Sequence, residues 1–229
     1  VLKQSGIEMA LPSDRSEKQP AHEAVYQRLR AQILFGELAP GQPITIQGLV
    51  NALEVGMTPV REAIRRLISD GALVFKDNRR ISVPILKISD VEAIVYARKS
   101  IECELAHRAA INIKTNDISN LEHIDLMLDQ AIAEGDIRGY LVHNYSFHNA
   151  LYRHAETPIL ADLAERLWLR FGPSLRMVCG RLGTQSVPDR HKDILAALYK
   201  HDGEVAALAM ERDVVQGMEQ IMEGLTEAS

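Results

Sequence analysis

The stretch TPVREAIRRL, Thr58–Leu67, constrains the fold more than any other part of the chain. Val60, Ile64, Leu67 and the following Ile68 recur at helical spacing and need a core on one side. Arg61 and Arg65 stand four apart and share a face, with Arg66 just beside it. Thr58 suits an N-cap, Pro59 the first helical position, and Glu62 lies near the acid of a capping box. A helix built this way has an apolar side to bury and a cationic side to offer to an anion.

The neighbouring segments say what packs against it. Val25, Leu29, Ile33 and Leu34 predict a first helix that stops near Phe35-Gly36. The turn ELAPGQPI follows, with Pro40-Gly41 and Pro43 as breakers. Leu49, Val50 and Leu53 mark a short second helix from about Thr45, ended by Gly56, and the TPVREAIRRL helix ends at Gly71. ALVFKDNRRISVP then reads as two short β-prone runs around a charged tip, Lys76 to Arg80. This order of elements predicts a winged helix-turn-helix over residues 21–85.

In that fold the first turns of the third helix enter the major groove, so Thr58, Arg61, Arg65 and Arg66 are candidate DNA contacts. Arginine's planar fork pairs with guanine O6 and N7 or clamps a phosphate. On the wing, Lys76, Arg79 and Arg80 are placed to follow the backbone or reach the minor groove. Taken alone, the basic face would read as a solvated surface; the flanking helix and the charged hairpin favour double-stranded DNA. Charge divides accordingly: residues 21–84 hold eight Lys/Arg against six Asp/Glu, and residues 85–229 fifteen against twenty-two.

Beyond Ser89 the pattern is helical almost throughout. The expected spans are 89–112, 116–134, 137–155, 158–182 with a kink at Gly172-Pro173, 188–200 and 203–225. Their short separators favour antiparallel neighbours in an all-α bundle over residues 86–229. The fold class expected is therefore mainly α, a winged helix-turn-helix followed by a helical bundle. Residues 1–20 read as a flexible tail. No apolar run approaches the roughly 20 residues of a membrane helix, and no signal peptide is visible. Cys103 and Cys179 form no metal or disulfide framework, so a reduced, cytoplasmic protein is expected.

The bundle carries polar residues on its apolar stripes. Asn144 and His148, four apart, lie on one stripe with Leu141, Tyr145, Leu151 and Tyr152. His191 opens the stripe Ile194, Leu195, Leu198, and Asp213 accompanies Ala206, Met210 and Gly217. His191 lies eleven residues before Asp202 and Asp213 eleven after it, so an antiparallel hairpin sets them at one height. Asn144, His148, His191 and Asp213 are thus candidate ligands for a divalent metal such as Zn, Mn or Ni. The alternative is a set of hydrogen-bonded core residues. Arg98 shares a stripe with Val91, Ile94, Val95 and Leu105; its anion is either Glu102 or the carboxylate of a ligand.

At these residues the chain resembles known families. LAPGQPI, TPVREAIRRLISDGALV and NRRISV are similar to the DNA-binding domain of GntR-type transcriptional regulators. That resemblance implies a recognition role for Arg61, a capping role for Thr58 and a wing contact for Arg79. Gly56, Met57 and Arg80 depart from the family pattern, which implies an altered operator preference. YSFH followed by ALYRHAETPIL, HKDILAALYKHD and ARKSIE resemble the FadR-type C-terminal effector domain, FCD. That resemblance implies an effector-binding and dimerising half, a metal held by one aspartate and three histidines, and a small organic acid as effector. His148 and His191 match two of the histidines; Asn144 stands for the aspartate and Asp213 for the third histidine. Arg98, Asn144, His148 and His191 are the effector-binding candidates.

Two functions remain open at this point. One is a homodimeric, ligand-responsive regulator on a palindromic operator. The other is a metal-dependent enzyme in a helical bundle with a binding head, although no paired carboxylates or nucleophile–base motif support it. No membrane partner is expected.

Overall fold

Three helices and a small sheet form the front of the chain in the computed structural model, which describes residues 20–76, 80–183 and 190–226. The expected tail lies outside these residues except for Pro20, as does the wing tip with Arg79. Helix α1 (Ala21–Leu34) buries Val25, Tyr26, Leu29, Ile33 and Leu34 against α3 (Met57–Ser69), which answers with Val60, Ala63, Ile64 and Leu67. Between them, α2 (Ile46–Leu53) is capped by the Thr45 hydroxyl, which accepts from the Gly48 amide at 3.0 Å.

The start of α3 differs from expectation. Its N-cap is Gly56, so Thr58 is the second helical residue rather than the cap, and Pro59 is the third. Proline is tolerated there because the first-turn N–H groups have no partner within the helix in any case. Glu62 makes no capping box and instead stands 3.7 Å from His22. The sheet also holds one strand more than the sequence suggested. Its order is β1-β3-β2, with β1 at Pro43–Ile44, β2 at Val74–Lys76 and β3 at Arg80–Ser82, all antiparallel. Pro43, expected only to break structure, sits on an edge strand, where its missing N–H costs no ladder bond.

The remaining helices are α4 (Ile88–Asn112), α5 (Thr115–Glu134), α6 (Ile137–Arg153), α7 (Pro158–Leu182), α8 (His191–Tyr199) and α9 (Gly203–Thr226). Five of the six follow the predicted spans to within a few residues. Helix α8 begins at His191 rather than at 188, with Arg190 as its N-cap. Residues 188 and 189 of that predicted span lie outside the described residues. Helix α7 continues through Pro173 as a single element. Long α4 packs along α9 and touches α6, α7 and α8, so it forms the spine of the bundle.

The two halves meet along α1 and α7. A Cβ added to Gly172 would stand 2.5 Å from the Leu34 carbonyl oxygen, so only glycine lets the two backbones come this close. Polar contacts flank the seam. Arg30 donates to the Tyr145 hydroxyl at 2.8 Å and to Glu165 at 2.7 Å, and Arg166 stands 3.4 Å from Asp70. Asp70 in turn accepts from the Tyr26 hydroxyl at 2.9 Å. Among the described residues, no helix is long and apolar enough to cross a membrane.

Candidate functional site

Two sites are built by these elements, one open and one buried. The open site lies between α3 and the wing. Arg61, Arg65, Lys76 and Phe75 rim a hollow floored by Ile46, Ile64 and Ile81. The hydrophobic floor is the outer edge of the core that holds α3 against the sheet, and it fixes the helix while leaving its arginines outward. Arg61, Arg65, Lys76, Arg80 and Thr58 are all exposed, and none of the four cations meets a carboxylate among the described residues. Arg66 is arranged otherwise. Its guanidinium bonds Glu23 at 2.6 Å and lies 3.7 Å above the centre of the Tyr26 ring, so it is turned back onto α1. Phe75 was not singled out from the sequence; as an exposed aromatic pointing the same way as Ile81 across the ladder, it was visible only once the register was known.

The buried site joins α6, α8 and α9. His148 Nε2 stands 3.3 Å from His191 Nε2 and 3.2 Å from Asp213 Oδ2. One ligand atom from each of the three residues lies within 4.8 Å of the others. Asn144 and Arg98 line the same cavity together with Trp168, Phe171 and Tyr140. Both histidines are buried, and three of the four residues the sequence nominated as ligands stand together, with Asn144 on the cavity wall.

Hydrogen-bond partners fix which nitrogen of His148 faces the cavity. Tyr152 donates its hydroxyl proton to Glu102 at 2.6 Å, so its oxygen is left to accept from His148 Nδ1 at 3.2 Å. A proton on Nδ1 leaves the neutral imidazole with its Nε2 lone pair directed at Asp213 and His191. With a proton on His191 Nδ1 as well, three electron-pair donors would face one point and could hold a cation; with a proton on His191 Nε2, that nitrogen donates to His148 instead. Ligand atoms about 2.1 Å from a metal stand roughly 3.0–3.4 Å apart in octahedral or tetrahedral geometry, and the two spacings from His148 Nε2 match. Burial lowers the pKa of His148 below its ordinary value despite the pull of Asp213, which keeps the imidazole available as a ligand. Burial also works against charge on Asp213; a His148 that carries a proton on Nε2 outweighs it, with His191 and Arg98, and lowers that carboxyl to about 2, whereas the neutral tautomer above withdraws the His148 share.

Arg98 turns out to be compensated within the chain. Its Nε and Nη2 donate to the two oxygens of Glu102 at 2.6 and 2.9 Å, one helical turn along α4. Its guanidinium carbon lies 4.2 Å from the centre of the Phe171 ring and 5.1 Å from that of Trp168. Burial alone would lower its pKa; Glu102 reverses the sign and raises it. Trp168 further contacts the rings of His148, at 5.1 Å between centroids, and of Tyr145, at 5.5 Å. Tyr145 is the residue that Arg30 of α1 grips, so two contacts separate the buried site from the helix that carries α3.

Comparisons with known proteins agree with this division. Residues 21–83 match the family described as bacterial regulatory proteins, gntR family, and residues 93–216 match the FCD domain. The HTH-type transcriptional regulator McbR of Escherichia coli (strain K12) is 30% identical over 179 residues, 77% of this chain and 81% of its own. The HTH-type transcriptional repressor RspR of the same organism is 27% identical over 218 residues, 95% of this chain and 94% of its own. The solved structure of E. coli McbR/YncC superposes with a TM-score of 0.82 at 27% identity, covering 92% of this chain and 99% of that one.

Proposed function

From a chain that belongs to the gntR family of bacterial regulatory proteins and carries an FCD domain, we propose a homodimeric regulator whose buried metal centre governs its hold on a palindromic operator. It is a DNA-binding transcriptional regulator rather than an enzyme, as are the relatives it resembles. The finer assignment is to the FadR subfamily, working in the cytoplasm, with residues 21–85 as the DNA-binding domain and 86–229 as the effector and dimerisation domain. In the DNA-binding domain, Arg61 reads a base, Arg65 and Lys76 take phosphates, and Thr58 and Arg80 line the approach. Arg79, at the wing tip, completes the set. Arg66 serves the fold. Two-fold pairing follows from need, since one recognition helix reads only a few base pairs.

The observation that carries the sensor reading is the convergence of His148 Nε2, His191 Nε2 and Asp213 Oδ2 within 4.8 Å of one another. These three residues, with Asn144 beside them, would hold Zn, Mn or Ni. The ion would supply a Lewis-acidic point for a ligand carboxylate or hydroxyl. The cavity offers about 30 Å³, room for an ion and a water but not for an organic acid. An organic-acid effector therefore enters only by parting the walls formed by Trp168, Phe171 and Arg98. Because Trp168 abuts Tyr145 and Tyr145 holds Arg30, that parting reaches α1, and the effector acts through its different affinity for the two arrangements.

The experiment begins with metal content in protein purified without added metal or chelator, beside Asp213→Ala. An operator is then selected from random duplexes, and its affinity is followed by anisotropy with Zn²⁺, with chelator and with candidate acids. Near-stoichiometric metal lost in the variant, together with an affinity that changes on chelation, supports the reading. Metal absent from both proteins, with no thermal shift on adding Zn²⁺, Mn²⁺ or Ni²⁺, ends it.

A further inference from the structure

We propose that Asp125, on α5, is a positioning residue for the histidine pair: its carboxylate keeps the His191 proton on Nδ1 and thereby leaves the Nε2 lone pair toward His148 and Asp213. The inference rests on the metal-centre reading above and adds to it a residue on a fourth helix.

Asp125 Oδ1 lies 3.3 Å from His191 Nδ1, within ion-pair distance but without the alignment of a hydrogen bond between the two atoms. The ring's other nitrogen, Nε2, faces His148 at 3.3 Å, so Asp125 sits on the edge of the imidazole opposite the candidate ion and cannot share it. Phe147 stacks on the face of the same ring, with centroids 3.8 Å apart and planes within 7°. The face is thus covered by an aromatic ring and the edge faces a carboxylate. Only one orientation satisfies both.

The place of Asp125 in α5 also calls for such a role. It is 5% exposed, in a stripe with Ile118, Leu121 and Leu128. A carboxylate buried there is costly unless a cation or a donor meets it. Lys192 approaches its other oxygen, Oδ2, at 3.5 Å from the solvent side, where the lysine also bonds Asp129 at 2.9 Å. That balances charge and leaves Oδ1 for the imidazole. A carboxylate on Nδ1–H fixes the tautomer and makes Nε2 a better ligand; losing such a partner costs about 10–100-fold in metal affinity.

The test compares the whole protein with Asp125→Leu and Asp125→Asn. Zn²⁺ affinity is measured by competition with a chromophoric chelator, and the His191 imidazole nitrogens are read by ¹⁵N NMR in metal-free protein. We expect Asp125→Leu to bind Zn²⁺ about 10–100-fold more weakly. Asp125→Asn should fall between, because its amide oxygen still accepts but carries no charge. In metal-free wild type the His191 proton resides on Nδ1, and Asp125→Leu loses that preference. Equal affinities across the three proteins, or a wild-type His191 protonated on Nε2, overturns the proposal. Should wild type bind no Zn²⁺, the metal reading fails by itself, and the imidazole spectrum still decides what Asp125 does. Should Asp125→Leu not fold, the wild-type spectrum and Asp125→Asn carry the decision.

Discussion

Arg61 and Arg98 are the same residue on two helices, and their surroundings are opposite. Arg61 is exposed beside Arg65 and Lys76 and forms no ion pair among the described residues. Arg98 is 3% exposed, bonded twice to Glu102 and flanked by Trp168 and Phe171. A cation reserved for a partner outside the chain is left in water, which solvates it until a phosphate or a guanine replaces the water. A cation kept inside must be balanced by the chain itself, because unpaired charge is not tolerated there. Arg66 shows how fine the division is: one residue from Arg65, it is already balanced by Glu23 and Tyr26.

Substitutions can break this contrast at its strongest point first. Arg98→Met strands Glu102 in the core and should cost about 3–5 kcal/mol in urea denaturation, while Arg98→Met combined with Glu102→Leu should recover much of it. A single variant as stable as wild type would mean that Glu102 is not stranded at all.

The buried centre offers the next largest effect. His191→Ala should abolish stoichiometric metal, as read by elemental analysis. Acid should weaken both metal binding and stability, with the same sign. His148 has a lowered folded-state pKa, so its contribution is present above the unfolded imidazole value of about 6.5 and is lost as pH falls below it. A His148→Gln variant should flatten the dependence of the melting temperature on pH between neutrality and mild acid.

On the open face the effects are smaller and move binding rather than folding. Arg61→Ala should cost about 1–3 kcal/mol on a selected operator and relax preference at one base position. Arg65→Ala should lower the salt slope of binding by about 1. Arg66→Ala should leave that slope unchanged and cost about 0.5–1 kcal/mol of stability. Equal slopes for the Arg65 and Arg66 variants would erase the distinction between them.

Legibility from the sequence followed the same line. The winged helix could be read because its signals are local: turn residues, a short helix and a periodic helix in a fixed order. His148, His191 and Asp213 could be paired because polar residues on apolar stripes, combined with hairpin height, locate them without a partner's help. Asp125 carries that same signal, a carboxylate between Leu121 and Leu128, but nothing in the sequence pairs it with His191. Arg30 carried none, since its partners Tyr145 and Glu165 are more than a hundred residues away and only packing brings them together. The start of α3 is hidden for a different reason: Gly56 caps it without a side-chain bond, while Thr58, two residues later, has the stronger capping side chain.

The seam at Gly172 has a mechanical meaning. Where side chains separate two helices, a small displacement of one is absorbed by rotamers before the other feels it. Backbone meets backbone between Gly172 and Leu34, so the joint has no such play. A shift of α7 at that point is handed to the end of α1 at full stroke, like a gear tooth seated without backlash. The same seam gives a methyl group at residue 172 nowhere to go.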